Sequence, residues 1–244
     1  MSHRQIVEQL AAAQKSNRGA GGYSRWINRP LGRQLAATAY RAGLTPNQVT
    51  LISAAFSYAA IAAIALAPMN ALAGVLIGIG LVVGYALDSA DGQLARLRGG
   101  GSAVGEWLDH VVDAAKVNAL HLAIAIAWYR HYSLGRGWLL VPLGYTVVAS
   151  VFFFAIVLAD MLRRIDRVKA GGTSVTTSQV NPNEAAPLLR SILVLPNDYG
   201  VLCLALFLIG VHAVFVPVYT VLFAANVLLL LAALVRWYTE LARM

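Results

Sequence analysis

Charge is what this 244-residue chain has least of. Only 12% of its residues are Asp, Glu, Lys or Arg, about half the share of an ordinary soluble domain, while 59% are hydrophobic. With a mean hydropathy of +0.65, that balance excludes a soluble globular protein and points to a lipid bilayer. Cysteine is almost missing too. Cys203 stands alone inside an apolar run, which rules out an intrachain disulfide framework and reads as a small buried hydrophobe. The opening MSHRQIVEQLAAAQKSNRGAGG contains no apolar run of the secretory kind and is expected to be a cytosolic tail, flexible or loosely helical. Acids are scarcer than bases, 11 against 19, for a net charge of +8. No soluble domain is present to offer that charge to a nucleic acid, so nucleic-acid binding is not expected.

Long apolar runs, by contrast, are abundant. A bilayer is crossed by about 20 apolar helical residues, and the sequence predicts six such helices, near 47–69, 71–97, 102–130, 137–164, 198–214 and 216–240. Tight links are expected at 69–71 and at 214–218, the second helped by Pro217. Ahead of the first span, YSRWINRPLGRQLAATAYRAG sets Trp26, Ile27, Leu31, Leu35 and Tyr40 among Arg25, Arg29, Arg33 and Arg41. That pattern suits a helix lying in the headgroup plane, with Pro30 dividing it or starting its second piece. The expected fold is therefore an all-α membrane protein: six transmembrane helices preceded by an interfacial amphipathic N-terminal helix. Residues 1–46 form the cytosolic tail and interfacial helix, and 47–244 the membrane unit. A Gly-, Ser-, Thr- and Pro-rich loop near 168–197 interrupts that unit on the cytosolic side.

Basic residues orient the spans. Arg4, Lys15, Arg18, the interfacial arginines, Arg96, Arg98, Arg163, Arg164, Arg167, Lys169, Arg190, Arg236 and Arg243 all fall on one side, against Arg130 and Arg136 on the other. Both termini are thus expected in the cytosol, in a plasma (inner) membrane, with the positive charge facing anionic lipid.

The few acids are not scattered. YALDSADGQLARLRGGGSAVGEWLDHVVDAAK, residues 85–116, holds Asp88 and Asp91 on one helix face, and Gly105, Asp109 and Asp113 stepping by four on the next. The short RLRGGGS link lets the two faces converge. Each carboxylate in a span costs about 2.5–3.5 kcal/mol on insertion scales, and mutual repulsion adds to it. Divalent cations would relieve that cost. An all-oxygen cluster suits Mg²⁺, Mn²⁺ or Ca²⁺ rather than zinc, and Mg²⁺ keeps positions open for phosphate oxygens. Arg96, near the cytosolic end of its span, is placed to pair with a phosphate or with one of the aspartates. Gly92 and Ala95 leave room for a ligand against the backbone. Lys116, three past Asp113 and deep in the span, is expected to pair with an acid or face the cavity.

Asp88-x-x-Asp91-Gly92-x-x-Ala95-Arg96, eight residues, then Gly105-x-x-x-Asp109-x-x-x-Asp113 resembles the full signature of the CDP-alcohol phosphotransferases. LTPNQVT resembles that family's turn before the first span. The resemblance implies transfer of a substituted phosphate from a CDP-alcohol, foremost CDP-diacylglycerol, to the hydroxyl of a small polyol or polyol phosphate in phospholipid biosynthesis, with release of CMP. It further implies two divalent cations, Mg²⁺ or Mn²⁺, on Asp88, Asp91 and Asp109, with Asp113 as general base and fourth ligand. Asn47, Thr50, Asp88, Gly92, Ala95, Arg96 and Gly105 would form the CDP site, and the chain would be a homodimer among membrane lipids. Lys116, Arg163, Arg164 and Arg190 are candidate contacts to the acceptor or a phosphate. Two alternatives stay open: the same chemistry with a soluble donor such as CDP-inositol and an inositol-phosphate acceptor, or a cation- or proton-coupled carrier that uses the acidic pocket.

Overall fold

The computed structural model describes residues 2–12, 21–169 and 188–244, and among these every regular element is helical. Residues 13–20 of the expected tail and 170–187 of the expected long loop lie outside the described residues. Helix α1 (His3–Ala12) is more than a loose tail, because Ile6 and Leu10 are buried. The interfacial segment opens with a wide π-type turn at Ser24–Asn28 and continues as α2 (Arg29–Arg41). The π turn immediately precedes Pro30, where the backbone has no N–H to offer the ladder. The chain stays helical through it: Arg29 N–H bonds back to the Ser24 carbonyl.

Each following boundary has a local cause. Helix α2 ends on Gly43 at φ 75°, a left-handed conformation that glycine adopts without strain. Thr45 then caps α3 (Pro46–Leu66) in a reciprocal capping box with Gln48. Asn70 caps α4 (Ala71–Leu97), and Ser102 caps α5 (Ala103–His131) by accepting from Gly105 N–H. Between α4 and α5, Gly99 and Gly100 have φ values of 95° and 127°, which fold the RLRGGGS link into a tight turn. A short 3₁₀ turn, Arg136–Leu139, leads into α6 (Leu140–Lys169). Beyond the loop come α7 (Leu188–Leu193), a 3₁₀ turn at Leu195–Asn197, α8 (Tyr199–Leu206) and α9 (His212–Leu241).

Among the described residues, five helical segments are long and apolar enough to cross a membrane: α3, α4, α5, α6 with its preceding turn, and α9. This is an integral membrane protein. The span expected at 198–214 takes another form. Helix α8 has eight residues, then the backbone tightens into i→i−3 bonds, with Phe207, Leu208 and Ile209 N–H donating to Leu204, Ala205 and Leu206. The cause is close packing on α4. A Cβ built at Gly74 would lie 2.6 Å from the Phe207 carbonyl, and one at Gly210 would lie 2.1 Å from that of Asn70. The link expected at 214–218 accordingly falls at 207–211, and Pro217 sits inside α9.

Helix α4 is the hub, packing against α1, α2, α3 and α8. Its contact with α3 is made of small residues: Gly84 lies against Ser57, and Ser53 Oγ donates to the Gly84 carbonyl at 2.8 Å. Helix α2 lays Ala36 and Ala37 on Ala90 and Leu94 of α4, while Trp26, Ile27 and Leu31 remain exposed for lipid. A second core, around Trp128, Ile124, Tyr145, Phe215 and Tyr219, fills the opposite end of the bundle.

Candidate active site

The α4–α5 turn brings the two acidic faces together. One carboxylate oxygen each from Asp88, Asp109 and Asp113 can be chosen so that all lie within 4.8 Å of one another. Three carboxylates that close repel strongly in a low-dielectric setting, and an all-oxygen donor set of this size fits a hard divalent cation. Asp91 lies outside that trio. It is 6% exposed, and Thr50 of α3 donates its hydroxyl to Asp91 Oδ2 at 2.6 Å. The threonine thereby fixes the orientation of a carboxylate that the helix alone would leave to rotate.

Lys116 pairs with the acids. Its ammonium is 2.6 Å from Asp113 Oδ1 and 2.9 Å from Asp88 Oδ1, so it bridges the acids of the two helices. The Tyr199 ring of α8 covers it at 5.6 Å, a cation–π arrangement. Tyr199 in turn packs edge-on against Tyr85, three residues before Asp88, and Tyr85 stacks on Tyr23 of the interfacial segment. Asp198 holds these parts in place by accepting from Ser24 N–H at 2.9 Å and Gly200 N–H at 3.1 Å, one from each helical segment.

Beside the acids lies a cavity of about 190 Å³, lined by Arg29, Asp88, Ser89, Asp91, Gly92, Gln93, Arg96 and Asp109. Two guanidiniums and three carboxylates around one space suit an anion that carries its own metal. Gly92 opens onto it, since a Cβ there would meet only Arg96, at 3.5 Å. Arg29 arrives from the interfacial helix because α2 crosses α4 closely: a Cβ at Gly32 would lie 2.7 Å from Ser89 Oγ, and Gln93 Nε2 donates to the Arg29 carbonyl at 3.1 Å. Burial pulls the Arg29 guanidinium below its ordinary pKa, against the opposing influence of Tyr85.

The other expected site residues are placed unevenly. Asn47 and Gly105 are neighbours, with a Cβ at Gly105 falling 3.0 Å from Asn47 Oδ1. Ala95, like these two, is not part of the cavity wall. Arg163 is engaged with Glu240 of α9 through Nε at 2.8 Å and Nη2 at 3.0 Å. Arg164 bonds Glu106 at 2.6 Å and Asp160 at 2.8 Å. These two arginines therefore tie helices together at the membrane surface. The side chain of Arg190 lies outside the described residues.

Arg29, Ser89, Gln93 and Tyr199 are additions that sequence reasoning missed. Arg29 looked like any other positive-inside residue. Ser89 and Gln93 did leave a signal: they are polar, four apart, in an apolar span next to Asp88 and Asp91. Nothing local marked Tyr199, whose role depends on how α8 docks.

The family model described as CDP-alcohol phosphatidyltransferase matches residues 43–239. A phosphatidylinositol phosphate synthase from Corynebacterium glutamicum is 38% identical over 90 residues, a match spanning 37% of this chain and 38% of that protein's length. Among solved structures, a phosphatidylinositol phosphate synthase from Mycobacterium tuberculosis in complex with manganese and citrate is similar at 19% identity and a TM-score of 0.43, covering 78% of this chain and 87% of the other.

Proposed function

The chain belongs to the CDP-alcohol phosphatidyltransferase family, and from that premise we propose that it transfers a phosphatidyl group from CDP-diacylglycerol to the hydroxyl of a small polyol or polyol phosphate, releasing CMP. The convergence of Asp88, Asp109 and Asp113 from two adjacent helices carries this reading. An inositol phosphate is the foremost acceptor, a choice supported by the name of the Corynebacterium relative.

In this reaction the acceptor oxygen attacks the phosphorus bearing the diacylglycerol, the bond from that phosphorus to the CMP oxygen breaks, and CMP leaves. Asp113 takes the acceptor's proton. Asp88, Asp91, Asp109 and Asp113 would hold two divalent cations, Mg²⁺ or Mn²⁺, which when bound offset charge on the pyrophosphate and on departing CMP. Arg96 and Arg29 clamp phosphate oxygens. Asn47, Thr50, Gly92, Ala95 and Gly105 shape the cytidine side, with Thr50 acting through Asp91. Lys116 stays beside the acids on the acceptor side. Because Arg163 and Arg164 are held in ion pairs, they would reach a ligand only by giving those pairs up.

The deciding experiment incubates purified protein with a panel of CDP-alcohols and acceptors and identifies products by mass spectrometry. Metal-dependent CMP release with a phosphatidyl product is the expected result. A soluble phosphodiester made from CDP-inositol would replace the donor, and no metal-dependent CMP release from any CDP-alcohol would sink the enzyme reading in favour of a carrier. Asp113→Asn should lower transfer about 10²–10⁴-fold, the usual contribution of a general base, with CDP-alcohol binding changed only severalfold. If binding is lost instead, Asp113 is chiefly a metal ligand.

The reading includes a setting. Residues 1–46 would dock on the headgroups and 47–244 form the catalytic unit, in the plasma membrane with termini and site facing the cytoplasm; the distribution of basic residues supports it. A membrane-impermeant maleimide applied to intact cells should label Gly135→Cys and spare Gly101→Cys, both exposed turn positions; the reverse pattern inverts the topology. The homodimer that the family resemblance implies would form through the spans. Mass measurement in a mild detergent tests it.

A further inference from the structure

Lys116 occupies an unusual place for a cation. It is 3% exposed, and its ammonium sits between Asp88 and Asp113, two of the three acids whose oxygens converge. The Tyr199 ring closes over it. The lysine stem comes from α5, three residues past Asp113, yet it reaches across to α4. A positive charge held this way offsets part of the acid cluster, and it does so on two of the three carboxylates that a divalent ion would use.

We propose that Lys116 is a built-in counter-cation of the acid cluster. It holds Asp88 and Asp113 together when no metal is bound and competes with the divalent ion for their oxygens, setting a weaker, more readily exchanged metal affinity than the carboxylates alone would give. Two physical facts carry this. Like charges repel strongly where solvent is excluded, so an ammonium beside a doubly charged ion weakens its binding. Removing one partner of a buried ion pair leaves the remaining charge uncompensated, so the acids without Lys116 depend on metal for their stability. Tyr199 is the positioning residue for the lysine, because its ring limits where the ammonium can retreat.

The inference rests on reading the acids as metal ligands, and its test separates the two. Mn²⁺ binding to the full chain in detergent is followed by loss of the free-ion EPR signal, alongside thermal unfolding in EDTA and in Mg²⁺. Lys116→Met, which keeps length and removes charge, should bind Mn²⁺ at least tenfold more tightly than wild type. It should melt earlier than wild type in EDTA and regain that loss in Mg²⁺. Equal or weaker Mn²⁺ binding overturns the proposal while leaving the family reading intact, and absence of Mn²⁺ binding in both proteins overturns the metal reading itself. If Lys116→Met does not fold in EDTA, the double variant Asp113→Asn/Lys116→Met decides. Recovery of folding in EDTA supports charge compensation, and continued failure shows that the lysine is needed for packing instead.

Discussion

A carboxylate buried in an apolar bundle must find donors, and Asp91 finds one of them in the hydroxyl of Thr50. Thr50 belongs to a different helix, so its bond to Asp91 at 2.6 Å ties the orientation of a candidate metal ligand to the packing of α3 on α4. A hydrogen bond to a charged group is worth about 1.5–3 kcal/mol. Thr50→Val, isosteric but without the hydroxyl, should therefore lower kcat/KM about 10- to 100-fold, and Thr50→Ser should retain most of it. Equal rates for all three proteins would show that Asp91 is oriented by something else. At this scale the sequence was legible where geometry is local. Spacings of three and four along a helix place Asp88 with Asp91, and Asp109 with Asp113, whatever surrounds them. Lys116 was legible as a partner of the acids for the same reason. The partners that cross between helices, Arg29 and Tyr199, were not, because no spacing within one segment encodes a crossing point.

Among the elements, α2 shows how a surface helix can enter an active site. Its buried face consists of Gly32, Ala36, Ala37 and Ala39, small enough to bring the backbone down onto α4, and Arg29 rides one turn ahead of the crossing. Gly32→Leu should lift α2 off Ser89 and withdraw Arg29. The expected result is a KM for the CDP-alcohol raised about tenfold, with the protein still folded and inserted; an unchanged KM would mean that Arg29 takes no part in donor binding. Helix starts and stops have local chemical causes: Thr45 with Gln48, Ser102 before α5, and glycines where φ turns positive. Helix α8 was not legible in the sequence. Its apolar stretch has the length of a span, but length and hydropathy do not register that Gly74 and Gly210 allow two backbones to touch. The contact shortens the helix.

For the molecule as a whole, α4 at the centre and α6 and α9 at the periphery divide the labour between site and support. The Arg163–Glu240 pair joins the two peripheral helices toward their C-terminal ends, with side chains 28% and 37% exposed. Ion pairs open to solvent in this way contribute little to stability. Arg163→Ala should lower Tm by no more than about 4 °C and leave transfer nearly unchanged; a large loss of activity at unchanged Tm would return Arg163 to the substrate site. The resemblance read from a single stretch of acids thus extended correctly to the family, while the details that set affinity lay in contacts between segments far apart in sequence.

The tight glycine turn between α4 and α5 also bears on how such a protein is made. Residues 88–116 contain all four aspartates of the site and the lysine that pairs with two of them, on two consecutive helices. As the chain leaves the ribosome, this hairpin enters the bilayer with its compensating charge already aboard. Its ion pairs close over a short sequence distance, the kind of contact that forms fastest. The most expensive residues in the protein therefore need not wait for α6, α8 or α9 to be synthesised before they are tolerated by lipid.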